Sequence, residues 1–277
     1  MGASTLPIPG PTGAGRDADT SGDPSEPARL RVVTEITFVG TSDAFGAGGR
    51  RQSAVLLRGA SGSALIDCGA TTGTGLHELG IAIDEIDVIL VSHFHADHFG
   101  GIPLLLLGAL YEENRKREIK IAGPPGVEAR VRALAEAMGH GFDNRVWAFP
   151  IEFSELPAGV RCELGPLQIR SFATHHNPDA SPHGMLIESG NTTIAYSGDT
   201  GWFDGLPLQV AGSDLFICEC TYHRNGFDYH LSHEQLVKHR DRFDCGRMIL
   251  THLGQEMADR RGKSEFETAD DGLTIRI

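Results

Sequence analysis

Three histidines and an aspartate fall within six positions, His93, His95, Asp97 and His98 in "SHFHADHFGG", directly behind the apolar run "IDVILV". Imidazoles that are mostly neutral at ordinary pH offer nitrogen lone pairs, and the carboxylate adds a hard oxygen, so the segment carries the donor types of a metal site. In an extended or turning segment, residues two apart point the same way. His93 and His95 are thus placed to hold one ion while Asp97 and His98 turn toward a second. A merely polar surface loop is the alternative, but histidine is too rare for this density to be expected there. Glu219 raises a separate question, because a carboxylate inside the otherwise apolar strand "DLFICECTY" is costly unless something pairs with it.

The elements that must position these groups follow from periodicity. Alternating and β-branched runs predict strands in "VVTEITFVG", "SAVLLRG", "SALIDCG", "IDVILVS", "EIKIAG", "LQIRSFA", "GMLIES", "TTIAYSG", "DLFICEC", "RMILTH" and a final "GLTIRI". Helices are expected from about Pro103 to Arg115, over "GVEARVRALAEAMG" with Gly139 as its stop, and from Ser232, whose spacing to Gln235 reads as a capping box. Strands cluster with helices between them in both halves, which predicts a layered α/β domain with its chemistry on loops at strand ends. No strong internal sequence repeat is visible.

Residues 1–30, rich in Gly, Pro, Ser and Asp with no apolar core of a signal peptide, read as a disordered tail ahead of one folded domain, 31–277. The chain has 277 residues, 40% of them hydrophobic, which can fill a substantial core, and a net charge of −13 that disfavours general coating of nucleic acid. No apolar stretch is long enough to span a membrane, since "GIPLLLLGALY" is short and carries Pro103. Five cysteines without a CxxC pair fit a reducing, cytoplasmic setting, with Cys218 and Cys220 packed on one strand face rather than ligating.

On the motif HxHxDH at His93, His95, Asp97 and His98, together with "ALIDCG", "IAGPPG", "AYSGDT" and "ILTHLG", the chain resembles the metallo-β-lactamase superfamily, in particular its ribonuclease Z-like phosphodiesterase branch. The resemblance covers roughly residues 31–277 and implies a four-layer αβ/βα sandwich with a dinuclear zinc centre at one edge of its sheets. It assigns Asp199 as the bridging carboxylate and His252 as the last ligand of the second site. A further histidine ligand is implied after "LQIRSFATHH", where both His175 and His176 stand, and His176 is preferred because it leads directly into the Pro-containing loop. Asp67 is read as a carboxylate that orients ligands. Zinc is the implied ion, with manganese or iron compatible with the same mixed donors.

The resemblance also implies attack on a phosphodiester by a metal-held hydroxide, with His230 of "HLS" as general acid and Glu219 of "ECTY" orienting it. Asp97 completes the expected catalytic group. His230 also leads into the Ser232-capped helix, a role it would have without any catalysis. Arg50 and Arg51 are candidate contacts for a substrate phosphate or carboxylate, a solvated turn being as compatible, and His183 is a candidate substrate-side residue. Only residues 177–198 separate His176 from Asp199, too few for the long arm with which tRNA-processing relatives grip their substrate. The expected substrate is thus a small phosphodiester or cyclic nucleotide rather than structured tRNA, a homodimer being compatible. A carboxylic ester, thioester or lactone hydrolase on the same centre is the alternative, and a metal-binding protein without turnover a third reading, disfavoured by the intact ligand set.

Overall fold

The computed structural model describes residues 1–2, 34–59 and 62–277; the tail expected over residues 1–30 lies, after its first two residues, outside them. Alternation along the early strands sets the layering. In β1 (Glu35–Gly40) and β2 (Ala54–Gly59), Ile36, Phe38, Val55 and Leu57 turn to one face, and Val39, Ala54 and Leu56 to the other. Both faces are apolar, so the sheet must be covered on both sides.

The first sheet continues through β3 (Gly62–Ile66), β4 (Val88–Leu90), β5 (Ile119–Gly123) and β6 (Ile151–Glu155). The second contains β7 (Arg161–Leu164), β8 (Leu167–Ala173), β9 (His183–Ser189), β10 (Thr192–Tyr196), β11 (Ser213–Glu219), β12 (Cys245–Thr251) and β13 (Glu267–Thr268). Then β14 (Thr274–Arg276) returns to the first, pairing antiparallel with β1. The strand orders are β14-β1-β2-β3-β4-β5-β6 and β13-β12-β11-β10-β9-β8-β7. Each sheet is an antiparallel meander that turns parallel, from β3 to β6 in one and from β10 to β13 in the other. The two halves therefore repeat in topology although no repeat is visible in sequence.

A central core of Ile36, Phe38, Ile66, Leu90, Ile169, Ile187, Ile194 and Ile217 joins the inner faces of the two sheets. On the outer face of the first pack α1 (Thr72–Glu78), α3 (Ile102–Tyr111) and α4 (Val127–Ala137). The outer face of the second is covered by α5 (Leu206–Gln209), α6 (His233–Lys238) and α7 (Gln255–Ala258). The result is the expected αβ/βα sandwich. Helix α3 stops before the expected Arg115, because Asn114 takes a left-handed conformation, φ 53°, and Arg115 folds under to donate to the carbonyls of Ile86 and Glu118. Cys218 and Cys220 lie together in the helix-side core. Among the described residues, no helix is long and apolar enough to cross a membrane.

Candidate metal centre

The chemistry-bearing residues sit where the strands end. Asp67 follows β3, and the histidine loop follows β4, its last part forming the short helix α2 (Ala96–Phe99). From the other sheet, His176 follows β8, Asp199 follows β10, Glu219 ends β11 and His252 follows β12. Ends of parallel strands on adjoining sheets thus converge on one edge, where loops are free to carry function.

Two ligand groups share Asp199: His93, His95, His176 and Asp199, and Asp97, His98, Asp199 and His252. In the first, His95 Nδ1 lies 3.2 Å from His93 Nε2 and 3.1 Å from His176 Nε2. Asp199 Oδ2 is 3.6 Å from His93 Nε2 and 3.8 Å from His176 Nε2. In the second, Asp199 Oδ1 is 3.2 Å from His98 Nε2 and 3.5 Å from His252 Nε2, while Asp97 Oδ2 is 3.3 Å from both nitrogens. Donors bound tetrahedrally at zinc distances would be spaced about 3.3 Å apart. One oxygen of Asp199 faces each group.

The environment fits a cationic occupant. Asp67, Asp97, Asp199 and Glu219 are all buried, and among the described residues none is paired with a Lys or Arg. His98 Nε2 and Asp199 Oδ1 are buried 3.2 Å apart, and among the described residues neither makes a well-directed hydrogen bond. Buried polar groups are rarely left so unless an ion or water completes them. Burial pushes the Asp97 carboxyl up, but His98 and His252 hold it well below the usual carboxylate range; burial and the same two histidines act likewise on Asp199.

Around the ligands runs a layer that holds them in place. Asp67 accepts from Ser92 N (2.7 Å), Ser92 Oγ (2.8 Å) and the Tyr196 hydroxyl (2.7 Å), and its 2.7 Å contact to His98 Nδ1 leaves Nε2 for the centre. The Tyr229 carbonyl accepts from His176 Nδ1 at 2.8 Å, with the same effect. Asp67 and His252 both adopt left-handed backbone, φ 58° and 53°, the strain expected where a site over-determines its residues. His176 enters the ligand group, whereas the side chain of His175 is exposed and lies beside Tyr229.

Glu219 finds the partners its burial demands. It accepts from Thr200 N (2.8 Å), Thr221 N (3.2 Å) and Thr221 Oγ1 (3.1 Å), and from His230 Nδ1 at 2.8 Å. Burial disfavours the charged His230 ring, yet Glu219 outweighs it and pushes the ring up to about 9. His230 stands two residues before Ser232, which caps α6 through the expected box with Gln235. It lines a cavity of about 540 Å³ together with His95, Asp97, Asp199 and His252.

Arg50 and Arg51 require correction. The buried Arg50 binds Thr41, the Ala269 carbonyl (2.6 Å) and Asp270 (3.4 Å), and Arg51 binds the Val39 carbonyl (2.6 Å), Glu78 and Asp271. Neither lines the cavity, and neither lies in a solvated turn; both tie β1 and β2 to the segment before β14. His183 is likewise absent from the cavity lining, its ring Nδ1 directed at the Ser181 carbonyl. His223 and His233 stack on each other, and His239 stacks on Trp202, all outside the ligand groups. Sequence reasoning missed Tyr196, Thr221 and the Tyr229 carbonyl. Strand alternation turns Tyr196 inward with Ile194, but its partner is 129 positions away.

The fold and this constellation define a metal-dependent hydrolase of the metallo-β-lactamase class. A crystal structure of the metallo-β-lactamase fold protein YhfI from Bacillus subtilis superposes with a TM-score of 0.70 at 20% identity, over 88% of this chain and 100% of that one. The chain belongs to the anti-Pycsar protein Apyc1 family, whose model matches residues 34–269. It is 26% identical to the anti-Pycsar protein Apyc1 of Bacillus phage 010DV004, over 83% of this chain and 93% of the relative. It is also 25% identical to the ribonuclease Z of Mycobacterium sp. (strain KMS), over 88% of this chain and 96% of the relative.

Proposed function

We propose that the protein is a dinuclear zinc phosphodiesterase acting on small substrates, cyclic nucleotides above all. The observation that carries this reading is the His230–Glu219 pair, whose histidine lines the cavity together with Asp97, Asp199 and His252 while the glutamate is buried behind it. A thioester releases a thiolate that needs little help from an acid, whereas expelling an alkoxide from phosphorus calls for a proton at the departing oxygen. His230 supplies it: with Nδ1 held by Glu219, Nε2 is the nitrogen left to donate, and the carboxylate keeps the ring protonated in the neutral range.

His93, His95 and His176 would hold one zinc ion, Asp97, His98 and His252 a second, with Asp199 shared. Such a pair supplies Lewis-acid stabilisation of developing charge and lowers the pKa of water. Asp67 and Tyr229 keep the imidazoles of His98 and His176 in the required orientation. Among the described residues no Lys or Arg lines the cavity, so they offer no cationic cradle to a substrate bearing several phosphates, while a single diester charge can be met at the metal centre and His230. Between His176 and Asp199 the chain makes only a short turn at Pro178–Ala180 and the β9–β10 hairpin, which supports a small substrate over structured RNA.

The test is hydrolysis by zinc-loaded protein, wild type and His230→Ala. The variant is expected to keep its metal and lose roughly 10²–10⁴-fold in rate on a cyclic nucleotide. The loss should be smaller on bis(p-nitrophenyl) phosphate, whose phenolate departs without help. Fast turnover of lactones or thioesters, slow turnover of every diester and a harmless His230→Ala would replace this reading with carbonyl hydrolysis.

A further inference from the structure

Between β11 and α6 the chain makes an irregular loop, residues 221–232, that carries His230. The side chains of residues 224–229 are all exposed, so apolar burial does not fix its outer part. Its base is closed by Tyr222 N donating to the Leu231 carbonyl (3.2 Å) and His233 N to the Tyr222 carbonyl (2.8 Å), and Asn225 N donates to Glu234 (3.1 Å). These bonds tie the loop to itself and to α6. None of them reaches the strand ends that carry the metal-type donors.

Three consecutive residues make that connection. The Asp228 carbonyl lies over Gly201, the Tyr229 carbonyl accepts from His176 Nδ1 at 2.8 Å, and His230 Nδ1 donates to Glu219 at 2.8 Å. At Gly201 the approach is so close that a β-carbon would stand 1.6 Å from the Asp228 carbonyl oxygen and 2.7 Å from its carbon. Gly201 is not among the glycines with left-handed backbone, so its conformation would admit any residue. The close passage of the loop is what calls for glycine here. Gly201 is itself held from beneath: its N–H donates to the His175 carbonyl (2.7 Å), its carbonyl accepts from Thr200 Oγ1 (2.7 Å), and Thr200 N donates to Glu219 (2.8 Å). The segment that presents Asp199 thus holds Glu219 through the next residue and receives the loop at the one after.

We propose that Gly201 is a positioning residue, the seat that fixes the loop carrying His230 against the donor groups. The inference rests on the phosphodiesterase reading for its kinetic consequence and adds to it what sets the placement of the acid. A side chain at position 201 must lift Asp228, and Tyr229 and His230 follow because they are its next two neighbours in the chain. A misplacement of about 1 Å in a reacting group can cost roughly 10²-fold in rate.

The test is Gly201→Ala. What its methyl group meets is an exposed loop and the exposed ring of His175 (3.1 Å), so the sandwich is expected to fold, which melting temperature and zinc content check. In hydrogen exchange read by mass spectrometry, peptides covering residues 222–233 should lose protection while those of β10 and β11 keep it. With zinc saturating, kcat on a 3′,5′-cyclic nucleotide should fall roughly 10²-fold with KM little changed, and the loss on bis(p-nitrophenyl) phosphate should be much smaller. Removing the exposed Gly226, which has no neighbour within 4 Å, shortens the loop from the outside without touching a buried residue and should give the same two effects. Asp228→Ala keeps the carbonyl and should behave as wild type. Unchanged exchange in both the Gly201 and Gly226 variants, or equal losses on the two substrates with zinc bound, overturns the seat and leaves the phosphodiesterase reading standing. A wild type that hydrolyses neither diester overturns that reading, and hydrogen exchange alone then decides whether Gly201 seats the loop.

Discussion

Replacing Asp67 by Asn tests whether the centre consists of two separately supported halves. The residue touches a ligand directly only in the second group, through His98 Nδ1 at 2.7 Å, and reaches the first only through Ser92 Oγ, which lies 3.0 Å from His93 Nδ1; Tyr196 is its further partner. Its left-handed backbone is one that Asn adopts at least as readily, so no conformational cost is added. Asparagine can still accept from Ser92 N through its oxygen, but its amide nitrogen then faces the Ser92 hydroxyl, the Tyr196 hydroxyl and the His98 ring. The hydroxyls can rotate to accept. The imidazole can accept only by moving its proton to Nε2, the nitrogen that must stay free to ligate. Loss of such a supporting carboxylate typically costs 10–100-fold in metal affinity, about 1.4–2.7 kcal/mol. Competition titration with a chelator, read by zinc content, should show one ion weakened by that factor and the other weakened less, since Asp67 reaches its ligand His93 only through Ser92. Equal weakening of both ions, or no change in either, would refute the assignment of Asp67 to the second half.

Two other perturbations follow from the same geometry. The proposed acid role requires a protonated His230, and Glu219 raises its folded value to about 9 despite burial; bound cations act in the opposite direction, so kcat/KM on a cyclic nucleotide should fall on the alkaline side no later than about pH 9. The stability that this pair contributes is complete below the unfolded imidazole value of about 6.5 and is lost as pH rises through the folded one. Glu219→Gln should move the alkaline limb to lower pH, and an unmoved limb in the pH–rate profile would detach His230 from it. Arg50→Met should lower stability by about 1–3 kcal/mol, since the Thr41 and Ala269 acceptors lose a buried donor; KM should not change, and a raised KM with unchanged melting temperature would return Arg50 to the substrate.

What the sequence disclosed, and what it withheld, follows from the range of the interactions. His93, His95, Asp97 and His98 are contiguous, and the strand before them is an unbroken apolar run, so their convergence needs only local geometry. Asp199 and His252 were legible through their motifs because each closes a strand of the second sheet, and the strand ends meet wherever the layers are the expected ones. The choice between His175 and His176 was not decided locally; it depends on a hydrogen bond to the carbonyl of Tyr229, which the chain reaches 53 positions later. Arg50 and Arg51 misled for the same reason, since the glycine-rich turn reads as solvated until the segment Ala269–Asp271 returns against it. Short strands such as β6, with mostly half-exposed side chains, carry too weak an alternation to announce themselves. Left-handed Asp67 and His252 are the clearest case: nothing in residue type demands φ > 0 there, and the strain is set by pairing within the assembled sandwich. Donor chemistry is therefore written in short motifs, while the hydrogen bonds that choose each tautomer exist only once the two halves have closed on each other.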